Sequence, residues 1–202
     1  MKRRQFAARL LATALAAAAP AFAADEKKAA EKKAEAKSPP PDDTFDQDSV
    51  LRDAEEFFGK GAESLARVVE KAFRDHGRPN GYIKGRELAG AIAVGLRYGD
   101  GSLVLKNVRS RPVWWTGPSI GFDVGANAAK VFVLVYHLPR PSAIFQRFPG
   151  VDGSFYFVGG VGMNYQQRDQ IVLAPIRLGV GLRAGASVGY MHYTPKKTYN
   201  PF

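Results

Sequence analysis

The sequence predicts a mainly β fold, a small closed antiparallel β-barrel of about eight strands preceded by one or two α-helices. Three observations point there. Apolar residues recur at three- and four-residue steps only between Val50 and Phe73. From Asn80 onward, short apolar runs are punctuated by Asn80-Gly81, Asp100-Gly101 and Asp152-Gly153, pairs suited to hairpin turns. Glycine is interspersed within those runs, as at Gly159, Gly160, Gly162, Gly179, Gly181, Gly185 and Gly189, which suits bends, bulges and close backbone approach in a tightly curved sheet.

The first element is not part of the fold. Residues 1–23 open with Lys2, Arg3 and Arg4, continue as an Ala/Leu-rich run and close on Ala21-Phe22-Ala23, a small-x-small cleavage site. This is the pattern of a bacterial signal peptide. Arg3-Arg4-Gln5-Phe6 also resembles the twin-arginine export pattern. Either the general secretory or the twin-arginine route places the protein in the periplasm. No later run approaches the roughly 18 apolar residues a spanning helix needs. Residues 24–45 read as a Lys/Glu/Ala/Pro tether that buries no core. The domain then occupies residues 46–202.

Within the domain, Val50, Leu51, Ala54, Phe57 and Phe58 predict one helix, and Leu65, Val68, Val69, Ala72 and Phe73 a second. Gly59-Lys60-Gly61 separates them, and Gly77 is placed to end the second as a left-handed cap. Strands are expected over Gly90–Arg97, Ser102–Asn107, Val113–Trp115, Ile120–Val124, Val131–Leu138, Phe155–Tyr165, Ile171–Ile176, Leu178–Arg183 and Ser187–Tyr193. Pro139–Phe148 interrupts them with a turn or two of helix.

One stretch carries a motif of catalytic appearance. Gly117-Pro118-Ser119-Ile120-Gly121 fits the G-x-S-x-G of a hydrolase nucleophile elbow, and Ser119, Asp169 and His192 follow in the order of a triad. An elbow needs a helix after the serine, and Ile120-Gly121-Phe122-Asp123-Val124-Gly125 does not start one. Gly185-Ala186-Ser187-Val188-Gly189 repeats the pattern with no acid after it. Ser119 therefore reads as structural, in a strand with a Gly-Pro kink, and no catalytic residue is assigned. His76, His137 and His192 form no short ligand motif, so no metal and no cofactor are expected. With no cysteine, thiolate sites are excluded. Beyond residue 82, acids remote from turns are Glu87, Asp123 and Asp169. They offer only an unsupported paired-carboxylate site.

Charge is more informative. The chain is formally +10, and residues 83–202 carry 14 bases against 5 acids. A basic body on an exported protein suits anionic lipid or polysaccharide, and export sets nucleic acid aside. Lys106, Arg109 and Arg111 precede Trp114 and Trp115, the two tryptophans of the chain, and Lys196 and Lys197 lie near the end. Cations beside amphipathic rings suit a lipid headgroup surface. Lys106, Arg109, Arg111 and Trp115, supported by Lys196 and Lys197, are the candidate ligand contacts. Strand alternation turns the two tryptophans to opposite sides, so one is core. A membrane-embedded barrel is excluded as well. Counting back by twos from Phe202 gives Asn200, Thr198, Lys196 and Thr194, which is no lipid-facing stripe.

The blocks PNGYIKG, GLRYGDGSLVLKN, VWWTGPSIGFD, LVYHLPR, GVDGSFYFVGGVG, LAPIRLGVGLRAG and TYNPF, with the helical EEFFGKGAESLARVVEKAF, resemble bacterial periplasmic envelope-integrity proteins of the EipA type. The likeness runs from about Asp48 to Phe202. It implies a soluble small β-barrel with N-terminal helices, distantly similar to SYLF lipid-binding domains, that helps keep the envelope intact and carries no catalytic residues. The family's Trp-Gln-Gly-Pro is here Trp115-Thr116-Gly117-Pro118, and its Thr-Trp-Asn-Pro-Phe has Tyr199. The expected function is non-enzymatic support of the envelope by binding anionic lipid or another envelope component, with docking on an envelope assembly protein as the alternative.

Overall fold

The computed structural model describes residues 43–59, 63–92, 94–120, 127–178 and 189–198. The expected export segment, the expected tether up to residue 42, Asp123, Ser187, the expected strands over 121–124 and 179–183, and the last four residues lie outside them.

Helix α1 (Gln47–Phe58) starts at Asp46, whose carboxylate accepts from the Ser49 N–H at 2.9 Å. Such a cap contributes about 1 kcal/mol. It ends at Gly59, whose φ of 97° is open to glycine and whose N–H donates to the Glu55 carbonyl. Helix α2 (Glu63–His76) buries Leu65, Val68, Val69 and Ala72 along one stripe. Gly77 terminates it at φ 75°, its N–H on the Phe73 carbonyl, as the sequence predicts. No described helix is long and apolar enough to cross a membrane.

Among the described residues ten antiparallel strands form one curled sheet: β1 (Gly81–Ile92), β2 (Val94–Leu105), β3 (Val108–Ile120), β4 (Asn127–Tyr136), β5 (Arg147–Pro149), β6 (Tyr156–Val158), β7 (Val161–Met163), β8 (Gln166–Arg168), β9 (Ile171–Leu178) and β10 (Tyr190–Thr194). The order is β5-β10-β3-β2-β1-β4-β9-β7-β6, with β8 also on β9. Among the described residues the expected barrel of about eight strands is seen as a curled antiparallel sheet of more, shorter strands. Among the described residues its two ends meet through a single bridge, Gly150–Gln166. The expected strand Phe155–Tyr165 splits into β6 and β7, because Gly159 and Gly160 turn the chain at φ 52° and 84°.

Three turn readings also change. Asp152-Gly153 is a turn, but Asp100-Gly101 lies inside β2, paired with Arg86 and Gly85 of β1. The β2–β3 reversal falls instead at Lys106-Asn107, where Asn107 takes φ 61°. Asn80 makes no hairpin either. Its side-chain amide donates to the Leu138 carbonyl at 2.8 Å and accepts from the Leu138 N–H at 3.1 Å, which clamps the start of β1 to the loop after β4. Finally, β3 shows no Gly-Pro break, because pairing with β2 runs through Gly117 and Pro118 to Ile120.

The sheet has two apolar faces. One packs beneath the helices: Tyr82, Phe132, Leu134, Tyr136, Ala174 and Ile176 meet Val50, Ala54, Leu65, Val68, Val69 and Ala72. The other lines the inside of the curl, with Ile83, Leu103, Val113, Trp115, Val133, Leu173 and Tyr193. Fully burying one such Val, Leu or Ile contributes about 1.5–3 kcal/mol, so both cores are substantial. Phe45, at the end of the predicted tether, already belongs to the domain: its ring lies 5.1 Å from that of Tyr82.

Candidate functional site

The inside of the curl holds a charge cluster that the sequence reading did not assemble. Glu87, on β1 and only 4% exposed, receives Arg177 of β9 in a bidentate pair, Nε to Oε1 at 2.9 Å and Nη2 to Oε2 at 3.1 Å. Arg97 of β2 brings its Nε to 3.3 Å from the same Oε1. Trp115 of β3 donates its indole N–H to Oε2 at 3.0 Å. Burial alone would push the Glu87 pKa up, but the charges of Arg177 and Arg97 and the hydrogen bonds from Arg177 and Trp115 outweigh it and hold the carboxyl below its usual range. Burial likewise opposes the charge on Arg177, and Glu87 more than compensates. A carboxylate so saturated with donors has no proton to exchange at neutral pH. It ties four strands together.

That cluster decides the fate of Trp115. Its indole fills the room left by Gly85 and Gly99, where any Cβ would collide with the ring. Trp115 is 3% exposed. It is therefore the core tryptophan of the pair and leaves the surface contact set proposed from sequence. Trp114, its neighbour, is the half-buried one on the opposite face.

The elbow constellation is not brought together. Ser119 lies within β3, which continues through Ile120, and pairs with Gly95 of β2. Asp169, at φ 53°, sits in the turn between β8 and β9, at the end of the sheet where β1 begins. At about 3.3 Å per strand residue, that is some 30 Å from Ser119. His192 is beside Thr116, and burial, with some help from Arg147, pushes its pKa down. Glu87 and Asp169 are likewise apart: one is inside the curl, the other in an exposed turn.

The predicted cations do share a region. Lys106 lies in the β2–β3 turn, Arg109 and Arg111 in the first residues of β3, and Lys196 and Lys197 just past the end of β10. All five are exposed. Because Thr194 pairs with Trp114, the chain leaves β10 alongside the β3 segment that carries Arg111. Lys106 Nζ donates to the Thr44 carbonyl at 3.2 Å, and Arg78 reaches the same oxygen at 3.4 Å. This end of the sheet also has a hollow of about 480 Å³, lined among others by His76, Arg78, Asn80 and His137. His137 adopts φ 56° and donates Nδ1 to the Gln170 carbonyl at 3.2 Å. Burial keeps the His76 pKa low, and Asp75 beside it partly opposes that shift. Among the described residues no group of three or more His, Cys, Asp or Glu side chains could hold a metal ion.

A model of the family described as EipA, envelope integrity protein A, matches residues 43–202. The chain belongs to the EipA family. A crystal structure of a β-barrel-like, uncharacterized protein from Brucella abortus is 43% identical, with a TM-score of 0.73, and the match covers 79% of this chain and 99% of that one. No curated protein matches the chain. EipA membership implies a role in envelope integrity and a place in the envelope, and neither the family description nor the structural relative names a catalytic activity. The EipA match starts at Asp43, the residue where the described structure begins.

The cluster at Glu87 was the part that sequence reading missed. Its signal was present: Glu87 and Arg177 are opposite charges at inward positions of strands whose other inward residues, Ile83 and Leu173, are apolar. What was lacking was the pairing between strands 90 residues apart.

Proposed function

We propose that the domain supports envelope integrity without catalysis, by holding an anionic envelope component, foremost an anionic lipid headgroup, at the basic end of the sheet. One observation carries this reading: Lys106, Arg109, Arg111, Lys196 and Lys197 are all exposed at the same end, next to the hollow that holds His76, Arg78 and His137. Lys106 is anchored on Thr44, so Arg109 and Arg111 are the principal contacts and Lys106, Lys196 and Lys197 supply field. Cations near an anionic leaflet each add about 1 kcal/mol of attraction, and salt screens it. In this reading the protein is periplasmic, its signal peptide at residues 1–23 removed on export, and residues 24–42 are a solvated spacer ahead of the domain.

Co-sedimentation of the exported protein with vesicles tests the reading. Binding to phosphatidylcholine vesicles should rise with added phosphatidylglycerol and fall at least tenfold on Arg109→Glu with Arg111→Glu, at unchanged melting temperature. Binding that ignores anionic lipid and survives the charge reversal overturns it. Specific crosslinking to one envelope protein, without lipid binding, would assign the domain to protein docking instead.

A further inference from the structure

Three chain segments meet around the hollow at the basic end of the sheet. His76 closes the last turn of α2, Arg78 follows in the connection to β1, and His137 follows β4. Leu138 and Pro139 add an apolar wall. The volume of about 480 Å³ falls in the range of ~300–1,000 Å³ usual for small-molecule sites.

The nitrogens that line the hollow are only partly used. A guanidinium carries five N–H donors. Among the described residues Arg78 makes one long hydrogen bond, 3.4 Å to the Thr44 carbonyl, and Lys106 donates to the same oxygen at 3.2 Å. Two cations thus share one uncharged acceptor, and neither forms an ion pair among the described residues. His137 spends Nδ1 on the Gln170 carbonyl and keeps Nε2. The His76 ring is held by aromatic contacts, 4.5 Å from Tyr165 and 5.4 Å from Tyr136. Nearby acids are committed elsewhere. Asp46 caps α1 through Ser49, and Asp75 accepts from Lys71 at 2.7 Å and from Tyr165 at 2.6 Å. Asp43 is the acid among the lining residues.

His137 is set in place by its surroundings. Its φ of 56° is uncommon for a residue with a side chain. The Asn80 amide grips both the N–H and the carbonyl of Leu138, the next residue, and Gln170 holds the ring. Strained backbone of this kind gathers where ligands are held.

Donors arriving from three segments suit a tetrahedral oxyanion, and the apolar wall suits the carbon part of an ester. A metal ion is not the occupant, because no three ligands come together among the described residues. The C-terminal dipole of α2 disfavours an anion, but the Gly77 N–H ties off the Phe73 carbonyl and the same dipole favours a cationic His76.

We infer that the hollow binds the phosphate of a phosphate ester, with Arg78 and His137 as direct donors and His76 as the third. For the source of that phosphate, a lipid headgroup, the inference rests on the reading above; the chemistry rests on the hollow. Burial keeps His76 low, Asp75 opposes this, and the charges of His137 and Lys71 add to it. Tyr136 and Tyr165 face its ring, and Arg78 and Asp43 share the hollow. A phosphate there favours the imidazolium and raises the His76 midpoint.

Histidine ring NMR of the exported protein reads this directly. The chain has three histidines, and His192 lies in the row of Leu88, Tyr98 and Thr116, eight residues along β1 from Asn80 and so about 26 Å away. Inorganic phosphate or short-chain phosphatidylglycerol, at fixed ionic strength, should shift His76 and His137 saturably, raise the His76 midpoint and leave His192 in place. Arg78→Gln and His137→Asn, the second keeping a side chain at ease in the left-handed backbone, should each weaken binding about tenfold at unchanged melting temperature. Asp43→Asn should tighten it. Release of the protein from phosphatidylglycerol vesicles by inorganic phosphate, at fixed ionic strength, supports the headgroup as source. Saturable phosphate binding without that competition keeps the site and overturns the lipid source. Vesicle binding that depends on Arg109 and Arg111 but moves neither histidine overturns the hollow site and leaves the surface reading standing. Histidines that respond to neither phosphate nor lipid overturn the inference.

Discussion

Trp115 lies against the backbones of Gly85 and Gly99 and gives its N–H to a carboxylate held by two arginines, whereas Trp114, one residue earlier, faces outward beside Asp100 and Thr194. The same contrast extends over the whole strand pair. Inside the curl, polar groups are few and interlocked, and each glycine near the indole is there because a side chain would not fit. On the other side of the same strands Leu88 and Leu96 stay exposed, beyond the described helices. The comparison teaches that one strand can give its core a sealed set of side chains and show a different set on its other side, because a two-residue period separates the two cleanly.

The contrast breaks most visibly at Glu87. Replacing it with Ala leaves Arg177 and Arg97 buried without their shared counter-charge, which should cost about 3–5 kcal/mol in urea unfolding. A loss below about 1 kcal/mol would mean the interior tolerates water and is no true core. Gly99→Ala comes next, at about 1–3 kcal/mol, because the new methyl must displace the Trp115 indole. Combining it with Trp115→Phe should give a loss smaller than the sum of the two, and strict additivity would deny the contact.

Acid sharpens the comparison more gently. The Glu87 and Asp75 carboxyls are held below their ordinary pKa. For Asp75, burial works against this and the hydrogen bonds from Lys71 and Tyr165 prevail. The folded state therefore binds fewer protons than the unfolded chain around pH 4. The stability these groups add is present above the ordinary carboxylate range and is lost as pH falls through their lowered values. A urea midpoint followed from pH 7 to pH 3 should drop, with a shallower drop in Asp75→Asn. Equal slopes would remove Asp75 from the account. The smallest effect belongs to Trp114→Phe, within about 0.5 kcal/mol of wild type, since its ring is only half-buried.

Much of the scaffold was legible along the chain. The helical stripes, the left-handed cap at Gly77, the turn at Asp152-Gly153 and the opposed tryptophans follow from period, backbone sterics and alternation, all of which act between near neighbours. Asp100-Gly101 misleads because a local turn preference of a kcal/mol or so yields to a twelve-residue ladder and to the space that Trp115 requires. Asn80-Gly81 misleads for a similar reason: Asn80 uses its amide on Leu138, 58 residues away.

By itself, then, the amino-acid order determined the class of the fold, the helix ends, the basic balance of the second half and the family, since these depend on spacing and composition. Only the tertiary structure decided which tryptophan is core, that Glu87 and Arg177 close on each other, and that the basic residues share one end. Those outcomes depend on which strands lie side by side, and strand pairing is a long-range choice made by the packed whole.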